Sequence, residues 1–424
     1  MVSLERSLSL FEVTLMSIGI IVGAGIYVVI GEAAGLTGNS IWISFIIGAI
    51  VATFTGLSYA ELSSRFPHAG AEYVYIQNSF GNKPAWMAGW LLIAGNIIGG
   101  STVALGFSNY FSALFQTPVI PIAIGVLILC GIILILGIKE TASITILFTL
   151  IEVLGLIIIV FIGMQKFGSV NYLQLTNGLK GIIEGGVLIF FSYLGFQGIT
   201  RLAEETKNPE KNIPKAIIFS LIITTIIYIL VAISAVSVIP ATQLAQESAP
   251  LASIAETAFG QNSFIFLSAI ALFATFNTSL MILLSGSRLV YGISKENALP
   301  KIFSRISTKT LSPYVAIAGV ILLAIFCLFI GDLQSIANLT NFTVFSVFIL
   351  INLSLIYFRL KKPVKHGFKI PLVIGKIPIF PVLGILSSFF MIGNLTSNIL
   401  ILGGILILIG LLVNIILNHL KINH

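Results

Sequence analysis

Apolar segments long enough to cross a lipid bilayer recur along the whole sequence. A transmembrane helix needs about 20 predominantly apolar residues. Segments of about this length lie near residues 9–34, 41–62, 85–110, 119–138, 143–164, 181–203, 214–239, 263–293, 313–331, 336–359, 378–397 and 400–419. We therefore predict an all-α, polytopic membrane protein with twelve transmembrane helices. The intervening loops are too short for a soluble domain, so residues 1–424 are predicted to form a single membrane domain.

The composition excludes several other classes of protein. Only 9% of the residues are charged, whereas soluble proteins carry about 25%. A cytosolic enzyme, a disulfide scaffold and a disordered chain are therefore excluded. Cys130 and Cys327 lie inside apolar runs and are expected to be inert, and the four histidines lie in polar stretches or at the tail. We accordingly expect no metal, no cofactor and no enzymatic activity.

Basic residues divide unequally between the two sides of the predicted membrane. With the N-terminus in the cytoplasm, Lys166 and Lys180 fall outside and the rest of the 22 Lys and Arg residues fall inside. Cytoplasmic loops carry such an excess of basic residues. The distribution predicts cytoplasmic N- and C-termini in the plasma membrane. The net charge of +7 thus reflects orientation in the lipid bilayer, and no nucleic-acid partner is expected.

Two predicted helices, the first and the sixth, have glycines near their midpoints. The first contains GIIVGAGI at residues 19–26 and the sixth contains FFSYLGFQG at residues 190–198. Transporters often break two equivalent helices to expose backbone groups to a substrate. The N–H groups of a half-helix starting near Ala24 suit a carboxylate, and carbonyls at the broken ends suit an ammonium. Close helix packing through Gly19 and Gly23 is the alternative. A second interrupted helix five spans later favours the substrate site and an inverted repeat.

Glu152 is an acidic residue near the middle of a predicted span. A charged carboxylate at this depth costs about 2.5–3.5 kcal/mol on insertion scales, and no basic residue lies at similar depth. Glu152 is therefore a candidate proton carrier, and a hydrogen-bonded structural role is the alternative. Asn96 and Asn277 also lie within spans. Each could bind substrate or join two helices by a hydrogen bond, and the second role is favoured for Asn277.

Three stretches together resemble the amino acid–polyamine–organocation (APC) superfamily of transporters. They are SYAELSSRFPHAGAEYVY at residues 58–75, FFSYLGFQG with AEETKNPEKNIPKAI between residues 190 and 217, and GSRLVYGISKENALP at residues 286–300. The resemblance covers nearly the whole chain. It implies five-plus-five inverted repeats, near residues 9–164 and 181–359, with two extra helices near 378–419. It also implies alternating access around a central site.

Carried onto this sequence, the resemblance also implies a substrate site. Its expected residues are Ile21, Gly23, Ala24, Gly25, Ile26, Asn96, Phe191, Ser192, Leu194 and Gln197. The backbone N–H groups of Ala24 and Gly25 would bind the substrate carboxylate. The carbonyls of Ile21, Phe191 and Leu194 would bind its amine. Asn96 falls where some arginine-exchanging relatives place an Asn near the substrate.

The resemblance further implies gating residues and two departures from the family pattern. Phe191 and Tyr193 are the expected gates. Gln197 stands where many relatives have an acid. Glu152 falls where proton-coupled archaeal relatives place a Lys, whereas members resembling cationic amino acid transporters carry a Glu nearby. A lysine mechanism is therefore not carried over, and Glu152 remains the candidate for proton coupling.

These observations predict a secondary active transporter that imports neutral amino acids with protons. The expected pocket, lined by Ile97, Gly99, Phe191 and Tyr193, has little negative charge apart from Glu152. The alternative within the class is a cationic amino acid or polyamine carrier or antiporter, with Glu152 facing the cationic group. Sodium coupling is the weaker option, because no clear Ser/Thr pair marks a sodium site in the eighth predicted helix. The alternative from another class is an ion channel, although no filter motif is evident.

Overall fold

Helices form nearly all of the regular structure in this chain. The structure, a computed structural model, describes residues 4–247, 249–329, 333–361 and 367–422. The first helices are α1 (Leu10–Val22), α2 (Ala24–Thr37), α3 (Ile41–Arg65), α4 (Ala71–Phe80), α5 (Asn82–Phe115), α6 (Val119–Leu136), α7 (Ile138–Met164) and α8 (Gly178–Tyr193). The next are α9 (Pro209–Val238), α10 (Ala241–Leu244), α11 (Pro250–Phe259), α12 (Gln261–Lys295), α13 (Tyr314–Cys327), α14 (Leu333–Lys361), α15 (Ile379–Gly393) and α16 (Ser397–Ile422).

Short elements complete the described fold. Three 3₁₀ helices span Gly38–Ser40, Phe196–Glu205 and Lys301–Ser304. The strands β1 (Val373–Ile374) and β2 (Ile377–Pro378) pair antiparallel. We call α1 with α2 "helix 1", and α8 with the 3₁₀ helix that follows it "helix 6".

The helices have the length and composition of membrane spans. Within the described residues, ten segments are long and apolar enough to cross a bilayer, and α13 and α15 are shorter apolar helices. The chain is therefore a polytopic, mainly helical membrane protein, as the composition predicts. The count of twelve spans remains a prediction, because it depends on how these two short helices are placed.

Regular structure extends into segments that were expected to be loops. The stretch between the second and third predicted spans contains α4, and the stretch near residues 240–262 contains α10 and α11. A turn at Ala69 and Gly70 follows α3. The turn ends at once, however, and the chain resumes as α4, in which the first six residues are buried. The apolar side of this short helix contacts α5 and α14, a contact that local composition does not reveal.

Burial separates the interior helices from those at the periphery. In the most apolar window of helix 6 and of α12, 78% of the residues are buried, against 17% in α16. The exposed side chains of α16, including Leu408, Leu412 and Ile416, are large and apolar. Such a surface is stable in lipid and not in water. Helices 1 and 6 therefore lie within the protein, and α16 faces the bilayer.

A capping box fixes the start of helix 1. The N–H of Glu12 donates to the Ser9 hydroxyl oxygen at 3.4 Å, and the N–H of Ser9 donates to Glu12 Oε2 at 2.7 Å. These two bonds satisfy backbone donors that the first helical turn leaves free. The residues before helix 1 contact the end of helix 6, because Leu8 N–H donates to the Glu205 carbonyl at 3.0 Å.

Candidate functional site

Helix 1 is interrupted at a glycine. α1 ends at Val22, Gly23 has φ −59° and ψ −128°, and α2 begins at Ala24. The last carbonyls of α1 and the first N–H groups of α2 have no partners within their own helices. The interruption therefore places backbone donors and acceptors in the interior of the protein. The side chain of Ala24 lies outside the part of the chain that the structure describes.

Helix 6 is interrupted in the same region of the protein. α8 ends at Tyr193, Leu194 is extended, and Gly195 has φ +124°. This backbone conformation favours glycine, since a side chain would be strained there. The chain continues as a ten-residue 3₁₀ helix. Runs of this type longer than 3–4 residues are uncommon and often mark a hinge.

The two interruptions lie against each other. A Cβ atom built on Gly25 would lie 2.8 Å from the Ser192 Oγ, so glycine is required for this close approach of α2 to α8. The Tyr228 hydroxyl of α9 lies 2.5 Å from the Ile21 carbonyl oxygen and 3.0 Å from the Ser192 carbonyl oxygen, and its single proton is shared between these two acceptors. Tyr228 thus joins the broken ends of helices 1 and 6.

Sequence reasoning missed Tyr228, although a weak signal for it exists. Thr224 and Tyr228 are four residues apart within an otherwise apolar stretch of α9, which places their polar groups on one face of the helix. The hydrogen bond also bears on the expected role of Ile21. A carbonyl oxygen has two lone pairs, so one remains at Ile21 for a substrate ammonium.

A small cavity lies between the two breaks. Its volume, measured as the space open to the centres of water-sized molecules, is about 50 Å³. Its lining residues are Ile20, Ile21, Gly25, Leu92, Gly95, Asn96, Gly99, Phe191, Leu194, Gly195, Gln197, Gly198, Thr278, Ile282, Ser285, Thr340 and Val344. No side chain in this lining is ionisable, as far as the described residues go.

The structure brings most of the predicted site residues to this cavity. Those that line it are Ile21, Gly25, Asn96, Phe191, Leu194 and Gln197. Gly23, Ile26 and Ser192 are buried beside it without lining it. A Cβ on Gly23 would meet the side chain of Thr278 in α12, so this glycine also serves close helix packing.

The two expected gating residues occupy different places. Phe191 lines the cavity. Tyr193 is fully buried, and its hydroxyl donates to the Phe45 carbonyl at 3.1 Å. Of the other residues expected in the lining, Gly99 is present and Ile97 is not. The difference follows from helix periodicity, because Ile97 is two residues from Gly99 and so faces another side of α5.

Polar side chains at one end of the cavity are already bonded to Arg201. The Asn96 Oδ1 accepts from Arg201 Nη1 at 3.3 Å, and its Nδ2 donates to the Leu92 carbonyl at 2.6 Å. The Ser285 hydroxyl oxygen accepts from the same Nη1 at 2.7 Å. The neighbouring lining from Leu92, Ile282 and Val344 is aliphatic. This end of the cavity therefore suits an apolar side chain.

Three ion pairs lie on the predicted cytoplasmic side of the cavity. Arg201 binds Glu72 at 2.8 Å, and both side chains are buried. Arg288 binds Glu205 at 2.9 Å, also buried. The third pair, Lys295 with Glu204 at 2.9 Å, is more exposed. All three involve the 3₁₀ part of helix 6, and together they fasten it to α4 and α12.

Glu152 lies beside helix 1 and outside the cavity lining. Its Oε1 accepts from Asn277 Nδ2 at 3.0 Å, and the same nitrogen donates to the Thr149 hydroxyl at 3.2 Å. A Cβ on Gly19 would lie 3.2 Å from Glu152 Oε1. Gly19 is about one helical turn before the break at Gly23. The interhelical hydrogen bond expected of Asn277 is confirmed, and its partner is Glu152.

The second oxygen of the Glu152 carboxyl group is unsatisfied. Glu152 is fully buried, and Oε2 has no hydrogen-bond partner in the described structure. Among the described residues, no Lys, Arg or His forms an ion pair with Glu152. No group of three or more His, Cys, Asp or Glu side chains in that part of the chain could hold a metal ion. A buried carboxyl group with one free oxygen can take up a proton at that oxygen.

The chain is similar to known membrane transporters over most of its length. The family model described as amino acid permease matches residues 8–416. A branched-chain amino acid permease, BcaP of Bacillus subtilis, is 30% identical over 99% of this chain and 95% of its own length. The vacuolar cationic amino acid transporter 4 of Arabidopsis thaliana is 30% identical over 85% of this chain and 64% of its own length.

A third relative widens the range of substrates among similar proteins. The methylthioribose transporter of Bacillus subtilis is 28% identical over 90% of this chain and 86% of its own length. These relatives are transporters and not enzymes. The family model covers nearly the whole chain, including both helix breaks and the cavity between them. This multi-pass membrane protein therefore belongs to the amino acid permease family.

Proposed function

We propose that this protein is a secondary active transporter that imports neutral, aliphatic amino acids together with protons by alternating access. The observation that carries the proposal is the cavity between the breaks of helices 1 and 6, with backbone groups at its ends and an uncharged lining. The similarity to a branched-chain amino acid permease supports the same substrate class.

Backbone groups at the breaks suit the common part of an amino acid. α2 begins at Ala24, and Gly25 lines the cavity. The free N–H groups and positive dipole end of a helix N-terminus attract a carboxylate. The carbonyls at the ends of α1 and α8, including that of Ile21, would accept hydrogen bonds from the ammonium. The Phe191 ring, which lines the same cavity, would cover the bound substrate as a gate.

The opposite end of the cavity suits a neutral side chain. Its lining includes Leu92, Ile282 and Val344. The amide of Asn96 is engaged on both sides, by Arg201 and by the Leu92 carbonyl. A polar or cationic substrate side chain would therefore find few free acceptors there, and an aliphatic one would contact carbon. Asn96 would therefore shape this end of the cavity through its bonds to Arg201 and Leu92, instead of binding the substrate directly as the family resemblance implies.

Glu152 is the proposed proton carrier. It is buried without an ion-pair partner in the described structure, and it lies against Gly19 of helix 1. Ionisation would leave a charge on an incompletely hydrogen-bonded carboxylate, which is costly inside the membrane. Opening of the site to water on either side would let the proton leave or enter. Because Glu152 lies beside helix 1, its protonation can be coupled to movement of that helix.

The helix contacts support the inverted repeat that this mechanism uses. α1 packs against α9, and α3 packs against α8. α5 packs against α6 as α12 packs against α13, and α1 packs against α7 as α8 packs against α14. Each contact thus recurs when both helices are exchanged for their counterparts five spans away in the other repeat. Repeats near residues 9–164 and 181–359 account for this pattern, with α15 and α16 as the two additional helices.

Purified protein in proteoliposomes tests the proposal. We expect uptake of labelled leucine that rises when the outside is made acidic, and no uptake stimulated by sodium. Glu152→Gln should bind leucine and lose the response to the pH gradient. Glu184→Gln is the matched control, because Glu184 is partly exposed and lies in a surface pair with Lys180. Equal leucine uptake with and without a pH gradient would exclude proton coupling.

A cationic amino acid carrier is the alternative that the Arabidopsis relatives suggest. In that case Glu152 would face the cationic side chain. Its position outside the cavity lining favours the neutral substrate instead. Competition of leucine uptake by lysine separates the two, because a cationic carrier would bind lysine more tightly. Saturable counterflow of leucine would likewise exclude an ion channel.

The distribution of basic residues supports cytoplasmic N- and C-termini, and an importer of this kind would lie in the plasma membrane. Protease-cleavable tags on each terminus test this orientation. They should resist protease added to intact cells and be cleaved in inside-out vesicles.

A further inference from the structure

Two buried Arg–Glu pairs lie beside the cavity, and they differ in what the third guanidinium nitrogen, Nη1, binds. Arg201 binds Glu72 through Nε at 3.1 Å and Nη2 at 2.8 Å. Arg288 binds Glu205 in the same way, at 3.2 and 2.9 Å. The remaining nitrogen of Arg288 has no hydrogen-bond partner in the described structure. That of Arg201 donates to two side chains of the cavity lining.

The pair formed by Arg201 and Glu72 presents its positive end to the cavity. Arg201 Nη1 contacts the Asn96 Oδ1 and the Ser285 hydroxyl, both in the lining. The Glu72 carboxylate binds Arg201 and accepts a hydrogen bond from Tyr59 at 3.3 Å. The guanidinium therefore lies closer to the lining than the carboxylate that balances it.

Stability alone is a weak reason for such a pair. Replacing a buried ion pair by well-packed apolar residues is often neutral or stabilising. Arg201 and Glu72 are 1% and 0% exposed, so both charges have been removed from water. Because Arg201 contacts two side chains of the lining, its charge can act on a bound substrate whether or not the pair stabilises the protein.

We propose that Arg201, held by Glu72, makes the cavity selective against amino acids with a cationic side chain. This inference rests on the proposed transport of amino acids through the cavity. The guanidinium repels a substrate cation in a poorly hydrated space, where charges interact strongly. It also occupies the Asn96 and Ser285 oxygens that would otherwise solvate a substrate ammonium. Arg201 acts through these two side chains and does not itself line the cavity.

The test compares two ligands with the same four-carbon side chain. L-lysine has a terminal ammonium and L-norleucine does not. The measured quantity is the ratio of their inhibition constants for leucine uptake by the full-length protein in proteoliposomes. Arg201→Gln should lower the lysine-to-norleucine ratio at least tenfold, which corresponds to about 1.4 kcal/mol. Arg201→Lys, which retains the charge, should keep the ratio within about threefold of wild type.

Arg288→Gln is the matched control. It removes a guanidinium with the same burial and the same two bonds to a glutamate, but without a contact to the lining. We expect it to reduce protein stability and to leave the ratio unchanged. A shift in Arg288→Gln as large as that in Arg201→Gln would show a general structural effect and overturn the proposal.

Glu72→Gln provides a second test with the opposite sign. It leaves the Arg201 charge unbalanced, so glutamate should become a better inhibitor of leucine uptake relative to glutamine. The glutamate-to-glutamine ratio of inhibition constants should fall at least about tenfold. This variant carries the test if Arg201→Gln does not fold. Unchanged ratios in the variants that fold would overturn the role of Arg201. Absence of any amino acid uptake by the wild type would instead reject the proposed function, so the two failures are distinguishable.

Discussion

The Tyr228 hydroxyl donates to the Ile21 carbonyl at 2.5 Å, at the point where helix 1 leaves its helical path. The same hydroxyl reaches the Ser192 carbonyl at 3.0 Å, just before the break in helix 6. One side chain of α9 therefore supports both broken ends. This contact links the geometry of the substrate site to a helix that does not line the cavity.

Removal of this hydroxyl should weaken both stability and substrate binding. In Tyr228→Phe two buried carbonyls lose a donor, and an unsatisfied buried group costs about 1–3 kcal/mol. We expect a lower unfolding temperature and a higher KM for leucine. Tyr110→Phe is the control, because it also loses one buried hydroxyl bond to a backbone carbonyl, that of Tyr27, and Tyr110 does not line the cavity. An unchanged KM in Tyr228→Phe would show that the bond has no role at the site.

A methyl group at Gly25 should disturb the contact between the two breaks. The Cβ of Gly25→Ala would clash with the backbone Cα of Ser192, which cannot rotate away, so α2 and α8 must move apart. We expect at least about a tenfold loss of leucine affinity, or about 1.4 kcal/mol, measured by equilibrium binding. In Gly404→Ala the new Cβ meets nothing within 4 Å. Affinity in this control should match wild type, and equal affinity in Gly25→Ala would contradict the close contact.

The response of transport to pH should depend on Glu152. Wild-type leucine uptake should fall as the external pH is raised from about 5.5 to 8, because fewer carriers are protonated on the outer side. Glu152→Gln resembles the protonated form and should show a flat profile. Uptake rates across this pH range check the prediction. Leucine counterflow in the same vesicles is the control, because it shows that Glu152→Gln still binds and exchanges leucine. A pH response that survives in Glu152→Gln would assign proton coupling to another group.

The ion pairs beside the cavity should differ in their contribution to stability. Arg288→Gln leaves Glu205 buried without its partner, and breaking a buried pair in this way costs about 3–5 kcal/mol. Lys295 is about half exposed, and surface pairs contribute about 0–1 kcal/mol. Thermal unfolding in detergent should therefore show a much larger loss for Arg288→Gln than for Lys295→Gln. Equal losses of thermal stability in the two variants would mean that burial does not make the Arg288–Glu205 pair more important for stability than the Lys295–Glu204 pair.

The sequence alone determined the membrane character, the position of the helix breaks and the depth of Glu152. Each of these depends on local properties: the length of an apolar run, a glycine within it, and the distance of a carboxyl group from the ends of its span. A bilayer acts on every segment separately, because each span must satisfy its own backbone hydrogen bonds. Local pattern is therefore informative in a membrane protein.

The tertiary structure decided which side chains meet. Arg201 and Glu72 are 129 residues apart, and Tyr228 and Ile21 are 207 residues apart. In the sequence, Glu72 belongs to a stretch whose composition indicates an amphipathic loop, and Arg201 is one of several basic residues at or after the end of helix 6. Their pairing requires α4 and the 3₁₀ helix to pack together beneath the cavity. Contacts of this kind depend on the arrangement of whole helices, which no local pattern specifies.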